Sequence, residues 1–208
     1  MVRPRSRAGP MRCTMFTTMP TTNGFSLFET AVGHCGIAWG SLGLTGVQLP
    51  ERDAAATRAR MVRRFPDVPE LDPPEAVCRA VDSIVALLAG APLEPFDLGD
   101  IVLDMRDLPP FHQRVYAMAR SMAPGTTMTY GEMAARLGDP GAARAVGQAL
   151  GHNPFAPVVP CHRILAASGK SGGFSAHGGV NTKLRLLEIE GAQFGAPGLF
   201  DGMPTAAG

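Results

Sequence analysis

The sequence predicts an α/β amino-terminal half followed by a mainly α carboxy-terminal half with a helix-turn-helix. Three observations carry that prediction. Short apolar runs divided by glycines come first, in the manner of antiparallel strands joined by tight turns. Further along, apolar residues recur at helical spacing. Between the halves, Ala91–Pro110 holds four prolines and five acids, the composition of a connector.

Residues 1–23 carry Arg3, Arg5, Arg7 and Arg12, three prolines and no acid, and are expected to be a flexible tail. The tail lacks the apolar centre of a secretory signal, and its prolines spoil an amphipathic transit helix. Phe25–Phe28, Ile37–Trp39 and Leu44–Gln48 are predicted as three strands, with Gly33, Gly36, Gly40, Gly43 and Gly46 supplying turns. Glu51–Phe65 is Ala- and Arg-rich, acidic at its start and basic at its end, as the helix dipole favours. Pro73–Gly90 reads as a second helix, with Val77, Val81, Ile84, Val85 and Leu88 on one face and Gly90 as a stop. One further strand is expected at Ile101–Leu103. The domain boundary is placed here: residues 24–108 form the first domain with its connector, 109–195 the second, and 196–208 a flexible tail.

In the second half, Phe111–Met122 is a helix with Phe111, Val115, Met118, Ala119 and Met122 on one side. Tyr130–Leu137 and Ala142–Gly151 follow, separated only by Gly138-Asp139-Pro140-Gly141. Two helices joined by a short glycine-containing turn form the helix-turn-helix pattern, although most such pairs are packing units. In the second of them, Val146 and Leu150 with Ala142, Ala143 and Ala149 form the buried stripe. The opposite stripe is Arg144, Gly147, Gln148 and Gly151. Glycine inside a helix costs about 1 kcal/mol against alanine, so this face is kept smooth at a cost. Either a neighbouring helix or a nucleic-acid groove could approach it.

Composition narrows the class. Hydrophobic residues make up 45% and charged residues 18%, which excludes disorder throughout. The longest apolar stretch, around Ile84–Ala91, is too short to span a bilayer. A net charge of +1 argues against a polycationic binder. Cys13, Cys35, Cys78 and Cys161 lie far apart with no CxxC, a usage that suits a reducing cytosol and a cytoplasmic protein. Cys13, His34, Cys35 and Cys78 lack the clustered spacing of a metal site, so no metal is expected.

The chemistry is concentrated in Asn153-Pro154-Phe155-Ala156-Pro157-Val158-Val159-Pro160-Cys161-His162-Arg163. The Pro157–Pro160 run is expected to be apolar and extended and to deliver Cys161 rigidly. A thiol is nucleophilic as thiolate, and cations or hydrogen-bond donors lower its pKa; His162 and Arg163 supply both. On an extended segment, however, adjacent side chains face opposite ways, so His162 needs a turn or a relaying water to act on Cys161. A carboxylate must also orient the imidazole, and Glu188 and Glu190 are the candidates in this half. On residue types alone, Cys161 is equally a buried inert cysteine and His162 a satisfied core histidine.

Pro160-Cys161-His162-Arg163, preceded by Arg144-Ala145-Val146-Gly147 and Asn153-Pro154, resembles the signature of the O6-alkylguanine-DNA alkyltransferases, also called methylated-DNA–protein-cysteine methyltransferases. The resemblance extends upstream to Thr129-Tyr130-Gly131-Glu132-Met133-Ala134. Downstream it takes in Gly172-Gly173-Phe174-Ser175 and Leu186-Leu187-Glu188-Ile189-Glu190-Gly191. It spans Phe111 to about Ala192, with every piece in order. The first half carries no such motif.

The resemblance implies a ribonuclease-H-like α/β domain in front of a winged-helix-like domain. It implies DNA repair by irreversible, single-turnover transfer of an alkyl group to Cys161, from O6 of guanine and also O4 of thymine, after base flipping. By the same resemblance, His162 deprotonates the thiol through a water and Glu190 holds the imidazole. Asn153 fixes the turn. Tyr130 crowds the target's phosphate and hydrogen-bonds guanine N3, and the Ser175 backbone N–H bonds O6. Arg144 fills the gap left by the flipped base. Ala145, Gly147, Gln148 and Gly151 belong to the minor-groove surface. Leu150, Ile164 and Phe174 line the base pocket. Neither metal nor organic cofactor is implied; the partner is duplex DNA carrying O6-alkylguanine, with no membrane, and a monomer is the default.

Phe174 stands where some members have tyrosine, so altered tolerance for bulky alkyl groups is expected. The Ser175–Asn181 loop is longer than in the shortest members, which leaves His177 without a role. Relatives that bind the lesion without repairing it lack the cysteine, whereas Cys161 is present. A redox-sensing winged-helix regulator would need a resolving cysteine near Cys161, and a Cys-His hydrolase an oxyanion hole and a peptide cleft; the sequence indicates neither. Split at the boundary, the charge is polarised. Residues 24–110 carry a net −6 and 111–190 a net +4. The basic half holds every residue expected to contact DNA.

Overall fold

The computed structural model describes residues 22–91, 98–167 and 173–193. The predicted tails therefore lie outside the described residues, apart from residues 22 and 23. So do Gly172 and part of the connector.

The amino-terminal half is a three-stranded antiparallel sheet in the order β1 (Gly24–Thr30), β2 (Gly33–Gly40), β3 (Gly43–Gln48). β1 and β2 pair from Gly24 opposite Trp39 to Thr30 opposite Gly33. Gly33 and Gly43 sit at the two turns with φ of 125° and 141°, the region that glycine enters without strain. Gly36 and Gly46, expected to supply turns, lie inside strands instead. A Cβ on Gly36 would come within 2.6 Å of Met61 Cγ, and one on Gly46 within 2.6 Å of Phe65 Cζ. Both glycines make room for α1 (Ala54–Arg64), which lies across that face. Asp53 caps α1 by accepting a hydrogen bond from the Ala56 amide at 2.7 Å.

The central strand is buried on both faces. Phe25 and Ala38 pack with Met61 beneath α1. Cys35, Ile37 and Trp39 turn the other way into the main core, which they share with α2 (Glu75–Leu88) and the carboxy-terminal half. The expected strand at Ile101–Leu103 is reduced to a single parallel bridge between Leu103 and Leu44.

The second half comprises α3 (Pro110–Arg120), β4 (Met128–Thr129), α4 (Tyr130–Arg136), a 3-10 turn at Pro140–Ala142, α5 (Ala143–Gly151), a 3-10 turn at Cys161–Arg163, β5 (Ile164–Leu165) and α6 (Val180–Ile189). A capping box between Thr129 and Glu132 starts α4. Gly138, at φ 85°, reverses the chain between α4 and α5. Val146, Ala149 and Leu150 of α5 are buried as the periodicity requires. Tyr116 of α3 donates its hydroxyl to the Ala149 carbonyl at 2.7 Å and fixes the far side of that helix. The parallel β4–β5 pair ties the start of α4 to the segment after Cys161. Among the described residues no helix is long and apolar enough to cross a membrane.

The halves meet along β3. The Val47 amide donates to the Pro154 carbonyl at 2.8 Å, so the sheet edge reaches the turn that follows α5.

Candidate active site

The chain between α5 and Cys161 does not run extended. Val159 N–H donates to the Phe155 carbonyl at 3.1 Å, closing a compact turn, and Cys161-His162-Arg163 then forms a 3-10 turn. Phe155, Val158 and Val159 are all buried, so the folded loop carries three near-consecutive apolar side chains into the core. Asn153 staples the loop, with Nδ2 donating to the Val159 carbonyl at 2.8 Å and Oδ1 accepting from the Phe155 amide at 3.0 Å. Its side chain also favours the thiolate form of Cys161.

Cys161 is 6% exposed, and what opens to solvent faces a cleft of about 440 Å³ lined by Tyr130, Gly147, Leu150, Gly151, Phe174 and Ser175. Burial raises the thiol's pKa, and the Asn153 side chain and the Lys183 charge only partly offset it.

Behind the cysteine lies a fully desolvated ionic cluster. Glu190, which follows α6, accepts from His162 Nε2 at 2.8 Å, from Arg163 Nε at 2.9 Å and Nη2 at 2.8 Å, and from the Gly125 amide at 3.1 Å. Burial pushes its carboxyl up, but the hydrogen bonds from His162 and Arg163 outweigh that and hold it at about 2. Burial lowers the His162 pKa despite Glu190, which keeps the ring neutral. An ionised carboxylate only accepts, so Nε2 carries the proton and Nδ1 is the basic nitrogen. Nδ1 is buried and has no partner among the described residues.

Of the two carboxylates, Glu190 meets the imidazole, as the resemblance implied, and Glu188 is exposed. One expectation changes. Arg163 does not serve the thiol: its guanidinium turns away to Glu190 and to the Met122 carbonyl. The cation acting on the sulfur is Lys183, which no motif singled out. It is fully buried, with Nζ donating to the Ile164 carbonyl and lying 5.7 Å from the Tyr130 ring centroid. Burial lowers its pKa to about 8. The missed signal was periodicity, since Lys183, Leu186, Leu187 and Glu190 fall at i, i+3, i+4 and i+7 of one inward stripe.

The remaining residues divide. Arg144 and Gln148 are exposed and Ala145 is partly buried on α5. A Cβ on Gly151 would meet nothing within 4 Å, and one on Gly147 would touch only the Tyr130 ring at 3.9 Å. No neighbouring helix therefore requires these glycines. Ile164, expected in the pocket wall, is fully buried instead and pairs with Met128. His177 lies 3.5 Å from Glu51, across the boundary between the halves. Among the described residues no group of three or more His, Cys, Asp or Glu side chains is placed to hold a metal ion.

Comparison with known proteins gives this constellation its context. Residues 110–192 match the family model described as 6-O-methylguanine DNA methyltransferase, DNA binding domain. A methylated-DNA–protein-cysteine methyltransferase of Methanothermobacter thermautotrophicus is 38% identical over 156 residues, covering 75% of this chain and 78% of the relative. The chain belongs to the methylated-DNA–protein-cysteine methyltransferase family. Another such methyltransferase, from Mycobacterium tuberculosis, is 49% identical over 117 residues, 56% of this chain and 67% of the relative. Among solved structures, M. tuberculosis OGT in complex with DNA superposes with a TM-score of 0.64 at 38% identity, covering 80% of this chain and 92% of the other. The O6-methylguanine-DNA methyltransferase of Pyrococcus kodakaraensis gives 0.60 at 26% identity, covering 81% and 99%.

Proposed function

We propose that this methyltransferase repairs alkylated duplex DNA by taking the alkyl group from O6 of guanine, and secondarily from O4 of thymine, onto Cys161, once per molecule and irreversibly. The observation that carries the reading is the position of Cys161. It opens into a cleft large enough for one base, with a neutral, carboxylate-held imidazole behind it.

The buried thiol is protonated at rest, so a base must act. His162 Nδ1 takes the thiol proton through a water. The sulfur lone pair attacks the alkyl carbon, the C–S bond forms, and the C–O bond breaks with its electrons going to guanine. Tyr130 donates a hydrogen bond to N3, the Ser175 backbone N–H supports O6, and the base leaves as its lactam after taking up a proton. Lys183, beside both Tyr130 and Cys161, favours negative charge on either.

The alkyl carbon is out of reach inside a base stack, so the nucleotide must be extruded at a few kcal/mol. Arg144 enters the vacated place. Gly147 and Gly151, which no internal packing demands, leave α5 bare enough to lie in the minor groove. Leu150 and Phe174 form the apolar pocket wall. The same reading takes the sheet with α1 and α2 as a ribonuclease-H-like domain over 24–108, and 109–195 as a winged-helix-like DNA-binding domain acting as a monomer in the cytoplasm.

One incubation tests the proposal. Duplex carrying a single O6-methylguanine should add one methyl mass to the Cys161 peptide, stoichiometric with lesion lost and without turnover. Methylation elsewhere, or repeated turnover, would sink it.

A further inference from the structure

We propose that Arg64, at the end of α1 in the amino-terminal half, is a positioning residue for the reaction. It holds the Asn153–Pro154 turn that orients Cys161. The inference rests on Cys161 being the alkyl acceptor.

The half-buried guanidinium bridges two segments. Nη1 donates to the Val47 carbonyl and to Gln48 Oε1, both at 3.0 Å, and Nη2 donates to the Pro154 carbonyl at 3.2 Å. No carboxylate pairs with it among the described residues. A cation partly withdrawn from water with only neutral acceptors is a poor stabilising device, since an apolar side chain would fill the space without the desolvation cost. The surroundings are nonetheless shaped to receive it. A Cβ on Gly46 would lie 3.0 Å from Arg64 Nη2 and 2.6 Å from Phe65 Cζ, so β3 is bare where this pair crosses it. The Phe65 ring sits 5.1 Å from the guanidinium carbon.

From Arg64 to the nucleophile the connection passes through two shared acceptors. The Pro154 carbonyl receives both Arg64 and the Val47 amide. Adjacent Asn153 bonds the Val159 carbonyl, and that same carbonyl accepts the Cys161 amide at 2.8 Å. Arginine suits the task because its planar fork serves β3 and the loop together, whereas an ammonium is a single point.

The test compares Arg64→Met and Arg64→Lys with Arg58→Met, a control on the same helix that breaks the paired contact of Arg58 with Glu70. Free O6-benzylguanine reads alkyl transfer without DNA. Iodoacetamide labelling across pH, with peptide mapping, reads the Cys161 thiol itself. Arg64→Met should accept the benzyl group about tenfold more slowly and move the Cys161 labelling midpoint to higher pH, because a loosened Asn153 supports the thiolate less. Its affinity for unmodified duplex should not change. Arg64→Lys should fall between it and the unaltered protein, and Arg58→Met should react at the unaltered rate. An Arg64→Met rate equal to the unaltered protein's, or an Arg58→Met rate as low as Arg64→Met's, would overturn the inference. Should Arg64→Met not fold, Arg64→Lys decides: an intermediate rate supports the inference and an unaltered rate overturns it. Failure of the underlying reading is distinct, because the unaltered protein would then label at Cys161 with iodoacetamide yet take no benzyl group.

Discussion

Glu190 is the residue on which the buried charges depend. Glu190→Gln leaves Arg163 buried against a neutral amide, and removing one partner of a buried pair costs about 3 kcal/mol or more. Denaturant unfolding at neutral pH should show that loss, together with slower alkylation. The pH dependence has a definite sign. The folded carboxyl is held at about 2, below its ordinary 4.5. Its contribution is therefore complete above pH 4.5 and disappears as pH falls from there toward 2; Glu190→Gln should lack that acid-side loss. Lys183 behaves oppositely. Its folded pKa of about 8 lies below the ordinary 10.5, so the burial penalty is full below pH 8 and fades as pH rises from 8 to 10.5. Lys183→Met should unfold at higher denaturant at pH 7 and lose the rise in stability over that window. It should also react with O6-benzylguanine about tenfold more slowly, because the charge beside Tyr130 and Cys161 is gone. A variant that is destabilised and fully active would contradict this account.

At the scale of elements, α5 gives up helix stability for a bare surface. Gly147 lies in mid-helix with room for a methyl group, since an added Cβ meets only the Tyr130 ring at 3.9 Å. Gly147→Ala should therefore stabilise the protein by about 0.5–1 kcal/mol. It should also slow repair of O6-methylguanine in duplex, where the added methyl intrudes between helix and groove. Unaltered duplex repair would mean that α5 does not approach DNA on this face. The helices were legible in the sequence because periodicity and capping residues are local signals: Val146 and Leu150 mark the buried stripe, and Thr129 with Glu132 marks a start. The loop before Cys161 was not. Pro157-Val158-Val159-Pro160 suggests an extended run, yet the Val159 amide closes a turn onto the Phe155 carbonyl, and a buried apolar run reads alike in either conformation. Gly36 and Gly46 misled for a related reason, since close approach of a helix and a tight turn both call for glycine.

Over the whole molecule, the charge is divided between an acidic amino-terminal half and a basic carboxy-terminal half, with α5 and the cleft in the latter. Binding to duplex should weaken only modestly with salt. A log–log slope near −4 is expected, equivalent to roughly four or five neutralised phosphates, measured by titration from about 50 to 200 mM salt. A slope near −10, that of an extensive phosphate contact, would place the DNA on a larger surface than α4, α5 and the cleft provide.

The sequence by itself determined the three strands of the amino-terminal sheet and the helices through α5, because these are carried by local spacing, and Cys161, His162, Asn153 and Arg144 were singled out by the motifs that resemble the family's. Only the tertiary structure decided that Glu190 takes Arg163 together with His162, and that Lys183 and Arg64 converge on the cysteine and its supporting turn. Those relations join residues 19 to 90 positions apart. Charge and hydrogen bonding act through space, and no local pattern records which distant segments folding brings into contact.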